Sequence, residues 1–323
     1  MRLGRDEPIE VKTAAELAVM REAGLVTAAA LRAAAAAVAP GVSTADLDAI
    51  AEREILSAGA VPSFKGYHGY PATICTSVNE QIVHGIPSPR QVLRDGDIIS
   101  IDCGAIVGGW HGDCALTVQV GAPKPGAAHS PEELSGLLRA CELALWHGLA
   151  EATPGGRLGD ISHAVASAAR TSGRYGIVRE YTGHFIGSSM HMDPAVPNFG
   201  RAGRGPVLRT GMALAIEPML VLGGPETRLL EDGWTAVTAD GSWAAHFEHT
   251  VAITEDGPLV LTAEDGGASA FAALRGERHS GRPGSLTRTP AAAEAVSAGA
   301  VPAGRVPSSH VRASTAAGDH HGL

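Results

Sequence analysis

Four acidic residues stand inside apolar runs that read as buried strands. Asp102 lies within Asp97-Ile-Ile-Ser-Ile-Asp102-Cys-Gly-Ala-Ile-Val107, and Glu217 within Met212-Ala-Leu-Ala-Ile-Glu217-Pro-Met-Leu-Val221. Glu248 lies in Ala244-Ala-His-Phe-Glu248-His-Thr-Val-Ala-Ile253, and Asp113 between Trp110-His-Gly112 and Cys114-Ala-Leu. A lone buried carboxylate costs several kcal/mol unless it is protonated or paired. No Lys or Arg stands beside any of the four. Taken singly, each is more often a solvated residue of a strand face. Taken together, they point to cations supplied from outside the chain.

Histidines add to the set. His184 and His191 punctuate Tyr181-Thr-Gly-His184-Phe-Ile-Gly-Ser-Ser-Met-His191, after a strand-like run, and His84 sits in Asn79-Glu-Gln-Ile-Val-His84-Gly-Ile-Pro. Carboxylates with an imidazole suit divalent manganese, iron, cobalt or zinc. Four carboxylates carry the charge that two divalent cations neutralise, which favours a two-metal site with ions about 3.5–4 Å apart. His111, His246 and His249 read as hydrogen-bonded loop histidines, and Cys103 and Cys114 as small buried residues rather than ligands.

These side chains must be positioned by two halves of similar plan. Thr13 with Glu16 forms a capping box that starts a helix running to about Val38; Pro40-Gly41 breaks it, and a second helix spans about Ser43 to Ser57. Strand-like runs follow at 72–77, 97–107 and 115–120. Ser130-Pro131-Glu132-Glu133 opens the second half, with a helix to about Thr153, a Pro154-Gly155 break and a helix from about Asp160 to Thr171. Strands are expected at 177–181, 212–222, 234–238 and 245–254. The two Pro-Gly breaks are 114 residues apart, as are Gly59 and Gly173. An internal duplication with pseudo-two-fold symmetry follows, in an α+β, mostly antiparallel architecture. Val107-Gly108-Gly109 is a plausible hairpin tip that sets Asp102 and Asp113 opposite or nearly opposite each other on one face. Asp232-Gly233 and Asp240-Gly241 are turns between Glu217 and Glu248, with one strand or none separating those two.

Composition bounds the rest. All 13 aromatic residues of the 323 lie at or before Phe271. The stretch 276–323, built mainly from Ala, Gly, Pro, Ser, Thr, Arg and His, reads as a disordered tail. A net charge of −9 argues against dedicated nucleic-acid binding. No 18-residue apolar run spans a membrane, and the N-terminus lacks the apolar core of a signal peptide. Four cysteines without a C-x-x-C pair fit a reduced, cytoplasmic setting.

The joint pattern strongly resembles the type I methionine aminopeptidases over about residues 8 to 265. The residues that carry it are Gly66-Tyr-His-Gly-Tyr-Pro71, Ser77-Val-Asn-Glu-Gln-Ile-Val-His-Gly-Ile-Pro87, Asp95-Gly-Asp-Ile-Ile-Ser-Ile-Asp102 and His111-Gly-Asp113. Gly183-His184 through His191, Ile216-Glu-Pro-Met219 and Phe247-Glu-His-Thr250 complete it. The resemblance implies a pita-bread fold: a catalytic domain at 8–265, with halves at about 8–122 and 130–265 enclosing a dinuclear metal site. It implies removal of the initiator methionine from nascent chains whose second residue is small, by a hydroxide held between two metals. The implied ligands are Asp102, Asp113, His184, Glu217 and Glu248, with Asp113 and Glu248 bridging, Asp102 completing one ion, and His184 with Glu217 the other. Glu217 would also accept the proton. His84 and His191 would contact the scissile amide, and Phe64, Tyr67, Tyr70, Cys75, Met190 and Trp234 would line a methionine pocket. A monomer with transient ribosome contact is implied as well.

Phe185 departs from the family's usual Gly-His-Gly-Ile-Gly, and is expected to bring a bulky ring beside a metal ligand and to narrow or reshape the substrate cleft. Two other readings stand beside the leading one. A proline-specific pita-bread peptidase usually carries an extra N-terminal domain, which this chain is expected to lack. A catalytically dead relative used for binding loses metal ligands, whereas all five positions are filled here.

Overall fold

The computed structural model describes residues 9–122 and 129–280. Its helices begin where their caps are. The Thr13 hydroxyl accepts from the Glu16 amide while the Glu16 carboxylate accepts from the Thr13 N–H at 2.7 Å, satisfying donors that the first turn leaves free. Helix α1 (Ala14–Ala36) and helix α2 (Thr44–Ser57) form the first pair, the second capped by Ser43 with Asp46. In the second half, α3 (Pro131–Ala150) is capped by Ser130 with Glu133. In front of α4 (Leu158–Ser172), the Asp160 carboxylate accepts from the Arg157 N–H at 2.7 Å.

The duplication is visible in hydrogen bonds. Gly41 donates to the Leu93 carbonyl and Leu93 to that of Val42, each at 2.9 Å; Gly155 donates to Leu208 at 2.9 Å and Leu208 to Gly156 at 2.8 Å. Gly41 and Gly155 both have left-handed φ, +92° and +85°, a conformation that favours glycine after a helix. Each half then supplies an antiparallel strand pair. Ile98–Val107 pairs with Trp110–Gln119 through a two-residue turn, Gly108-Gly109, with both φ positive. Ala213–Ile216 pairs with Glu248–Thr254. The pairs meet edge to edge where Glu248 faces Ala115 and His249 faces Cys114, so that both halves share one nine-stranded sheet. Every strand pairing among the described residues is antiparallel.

Helices cover one face of this sheet. Ile99, Ile101 and Cys103 pack with Leu31, Leu47 and Ile55 of α1 and α2; Leu214, Ile216 and Val251 pack with Leu137, Leu145, Ile161 and Val165 of α3 and α4. Strand side chains alternate, so Asp102, between Ile101 and Cys103, turns to the opposite face. All four cysteines are buried, Cys103 and Cys114 as expected.

The expected strand 212–222 is two strands, Ala213–Ile216 and Met219–Val221, and 245–254 is also two, Ala244–His246 and Glu248–Thr254. Pro218 has no N–H for a ladder, so the chain leaves one partner there and takes another. The Phe247 amide, opposite this break, donates to the Pro218 carbonyl at 3.3 Å. Between Glu217 and Glu248 lie four strands, Met219–Val221, Thr227–Leu229, Ala236–Thr238 and Ala244–His246, not the one or none expected. These short strands build side sheets off the main one.

Helix α5 (Ala268–Ser280) reaches past Gly276 into the stretch expected as tail, and Phe271 meets Trp146 of α3 with ring centroids 5.7 Å apart. Packing thus continues past residue 265. The rest of that stretch, 281–323, lies outside the described residues. Among the described residues, no helix is long and apolar enough to cross a membrane.

Candidate metal centre and active site

Asp102, Ala115 and Glu248 stand in one row across three neighbouring strands, with Asp102 and Glu248 on either side of the small Ala115. Asp113 is opposite Gly104, one diagonal step from Asp102 on the same face. The register His249↔Ile216 continues to bring Glu217 opposite Glu248, and His184 pairs with Ala215 in the next strand. Two threonines lock this arrangement between the halves. The Asp113 amide donates to Thr250 Oγ1 at 3.0 Å, and that hydroxyl donates back to the Asp113 carbonyl at 2.8 Å. Thr117 does the same for the backbone of His246, both bonds at 2.8 Å. Asn198 Nδ2 donates to the Glu217 carbonyl at 3.0 Å.

One donor atom each from Asp113, His184 and Glu248 lie within 4.8 Å of one another, and all three residues are buried. His184 Nε2 is 4.0 Å from Asp113 Oδ2 and 3.7 Å from Glu217 Oε1. The other ring nitrogen, Nδ1, is 3.0 Å from the Phe185 carbonyl. That carbonyl can only accept, so Nδ1 carries the proton and Nε2 presents its lone pair to the carboxylates, the tautomer a metal needs. Burial and the neighbouring His191 push the His184 pKa down to about 3, so the ring is neutral at physiological pH.

Without a cation the carboxylates are in a poor position. Burial and the neighbouring Glu217 hold Asp102 up at about 7, against a favourable pull from His246. Burial raises Asp113, Glu217 and Glu248 well above the carboxylate range, and mutual repulsion adds to it at Asp113 and Glu248. Asp102 Oδ1, Asp113 Oδ1 and Glu248 Oε1 are buried oxygens without a hydrogen-bond partner. Orphaned polar atoms of this kind are rare in folded proteins and call for an ion or water. Hard oxygen donors around one imidazole fit a divalent metal.

The matched family model is metallopeptidase family M24, which covers residues 18–255. The chain belongs to this family. It is 53% identical to a methionine aminopeptidase 1 of Mycobacterium tuberculosis over 81% of this chain and 97% of that one. It is 49% identical to a methionine aminopeptidase 1 of Bacillus subtilis, over 78% and 98%. A crystal structure of methionine aminopeptidase from Thermotoga maritima superposes with a TM-score of 0.76 at 42% identity, covering 80% of this chain and all of that one. The type I resemblance, the pita-bread fold, the hydrolytic metalloenzyme and its divalent-metal dependence read from the sequence all stand.

In this M24 chain all thirteen residues expected at the site line a single cavity of about 90 Å³. A roomier groove of about 700 Å³ between α3 and α4 collects none of them. One end of the cavity holds the carboxylates and His184. At the other, Phe64, Tyr70, Cys75 and Met190 pack with Tyr67 and Trp234. Gly104, facing Asp113, has no side chain where one would lie 2.9 Å from the Phe64 ring, which makes room for that wall. The Tyr70 hydroxyl is held by the carbonyls of Ile74 and Gly85, each at 3.0 Å, and its ring meets Trp234 edge to face. His191 Nδ1 is 3.0 Å from the Tyr67 hydroxyl, and the His84 ring meets those of Tyr181 and Trp234.

The expectation for Phe185 is corrected. Its ring is 1% exposed and packs into the second-half core, away from the cleft. Neighbouring strand residues point to opposite faces, so with His184 turned to the carboxylates Phe185 turns to the helices, and it does not line the cavity. The reading of His246 as a loop histidine is also corrected. It is buried in a strand, neither ring nitrogen has a hydrogen-bond partner, and Nε2 lies 3.6 Å from Glu217 Oε2. Its place two residues before Glu248 was the available signal. His111 and His249 also lie in strands and not in loops, though they are hydrogen bonded as expected, to Ser63 Oγ at 3.0 Å and Thr262 Oγ1 at 2.8 Å.

Proposed function

We propose that the protein removes initiator methionine from nascent polypeptides whose second residue is small, acting in the cytosol as a monomer with transient ribosome contact. The catalytic unit is the stretch 8–265 together with the α5 helix packed against it. The observation that carries the reading is one cavity with a crowded carboxylate–imidazole cluster at one end and an aromatic, thioether-compatible wall at the other.

Asp102, Asp113, His184, Glu217 and Glu248 would hold two divalent ions. When bound, they supply Lewis acidity and lower the pKa of water. Glu217, partly buried and lining the cavity, would take the proton. His84 and His191 serve as hydrogen-bonding groups on the scissile amide. Burial with the nearby His246 and His191 lowers His84 to about 4, and burial lowers His191 too, so both rings are neutral and offer one donor and one acceptor each. The methionine side chain packs against Tyr67, Tyr70 and Trp234, whose rings favour sulfur contact. Phe64, Cys75 and Met190 close the pocket.

Metal-reconstituted protein offered Met-Ala-Ser, Met-Lys and Ala-Pro peptides tests the reading. Methionine release from the first alone supports it. Cleavage of Ala-Pro would indicate a proline-specific peptidase, a class that includes a prolidase from Pyrococcus furiosus sharing this fold at 23% identity with a TM-score of 0.59. Asp113→Ala should abolish metal-dependent turnover.

A further inference from the structure

The seven residues from His184 to Met190 lead from a metal ligand to His191. Much of what holds the middle of this stretch comes from outside the site, from the first described residues of the chain. Lys12, whose side chain has no exposed surface, donates to the Ile186 carbonyl at 2.6 Å and pairs with Glu10 at 3.2 Å. Glu10 in turn accepts from the Ser188 amide at 3.2 Å and from the Ser188 hydroxyl at 2.5 Å. The Lys12 amide donates to the Gly211 carbonyl at 2.7 Å, just ahead of the strand Ala213–Ile216 that leads to Glu217.

Two glycines are shaped around this segment. A Cβ at Gly187 would overlap the Glu10 carboxylate and lie 2.5 Å from Lys12 Cε, and a Cβ at Gly211, where φ is +90°, would lie 2.5 Å from the Lys12 carbonyl oxygen. Both loops leave out a side chain where the segment passes. A buried ammonium costs more than an apolar side chain of the same length would. What the ammonium adds is direction: it holds one carbonyl, and through Glu10 one amide and one hydroxyl, of the loop that ends at Met190 and His191.

We propose that Lys12, with Glu10, is a positioning residue of the active site, clamping Ile186–Ser188 so that Met190 and His191 stay over the metal ligands. This rests on the reading that His191 contacts the scissile amide.

Lys12→Met and Glu10→Gln test it in the metal-loaded, full-length protein. Lys12→Met is expected to lower kcat on Met-Ala-Ser at least tenfold, with KM and divalent-metal affinity changed less than threefold. Glu10→Gln, which keeps the ammonium, is expected to lower kcat about threefold. Hydrogen exchange of the 187–191 amides should be faster in both. Unchanged kcat and exchange in the two variants would overturn the proposal, as would a loss of kcat that only follows lost metal affinity or lost folded fraction. If Lys12→Met does not fold, Glu10→Gln decides. Wild-type protein that binds metal but releases no methionine would reject the aminopeptidase reading instead, and the exchange measurement still decides the clamp.

Discussion

Glu217 stands between two imidazoles, with His184 Nε2 3.7 Å from its Oε1 and His246 Nε2 3.6 Å from its Oε2. The two histidines come from different strands, and both are buried. His184 has its Nδ1 engaged by a backbone carbonyl, which commits Nε2 to accepting or ligating. His246 has no such partner on either nitrogen. Its ring N–H is therefore available to the Glu217 carboxylate when that group is ionised, and its backbone is held on both sides by Thr117.

Replacing His246 should thus act through Glu217. Groups that orient a metal-binding carboxylate are worth about 10–100-fold in affinity or activity. His246→Ala is expected to lower kcat or metal affinity by about that range, and His246→Gln, which keeps a donor, to recover most of it. Calorimetric metal titration with steady-state kinetics checks this. Values within twofold of wild type in both would show that Glu217 does not need the imidazole.

Metal-free protein should lose stability as pH rises above about 6.5. Asp102 has a folded pKa raised to about 7, and burial also raises Asp113, Glu217 and Glu248 well above their ordinary values. A raised carboxylate binds more protons folded than unfolded, so its contribution is full below the unfolded pKa and is lost as pH climbs through the folded one. His184 and His84, lowered to about 3 and 4, work in the opposite sense, but only below the ordinary histidine value near 6.5. Between about pH 6.5 and 8 the carboxylates act alone. Thermal melts of chelator-treated protein should show Tm falling across that window, and saturating divalent metal should remove the fall. A flat or rising Tm without metal would contradict the crowding of these four groups.

The site was largely legible in the sequence because its signals are local. One carboxylate in a run such as Ile-Ile-Ser-Ile-Asp102-Cys has a bland explanation, but four such runs in one chain do not, and Thr13, Ser43 and Ser130 announce helix starts through bonds only three residues long. What was not legible depends on partners distant in the chain. The exchange of strand partners at Pro218 requires knowing that Phe247 lies opposite. The role of His246 requires Glu217, and that of Lys12 requires Ile186. Phe185 lies between: alternation from His184 already sends its ring away from the cleft, whereas comparison by position alone places it beside the ligand.

Phe185→Gly should therefore damage stability and spare catalysis. The ring fills the core between the sheet and the second helix pair, and truncating a buried Phe costs about 3–5 kcal/mol. A glycine in the strand adds a further backbone penalty. Urea unfolding should show that loss, while kcat per folded, metal-loaded molecule stays within about threefold. A variant with wild-type stability and a widened substrate range would instead place the ring in the cleft.

Under the proposed reading, the 3.0 Å bond between His191 Nδ1 and the Tyr67 hydroxyl lets the holding of methionine be tested apart from the orienting of the imidazole. Tyr67 is offered by a tight turn in which Gly66, His68 and Gly69 all have positive φ, +88°, +47° and +87°. Its ring lies 5.3 Å from that of His191. Burial raises the phenol pKa, so the hydroxyl keeps its proton. Tyr67→Phe keeps the ring against the pocket and removes only the hydroxyl. One such bond is worth about 0.5–1.5 kcal/mol, a factor of roughly 2–10 at 1.36 kcal/mol per decade. The expected loss falls on kcat, with KM for Met-Ala-Ser unchanged, whereas Tyr67→Leu should raise KM as well. A raised KM at constant kcat in the Phe variant would mean that the hydroxyl serves the substrate and not His191.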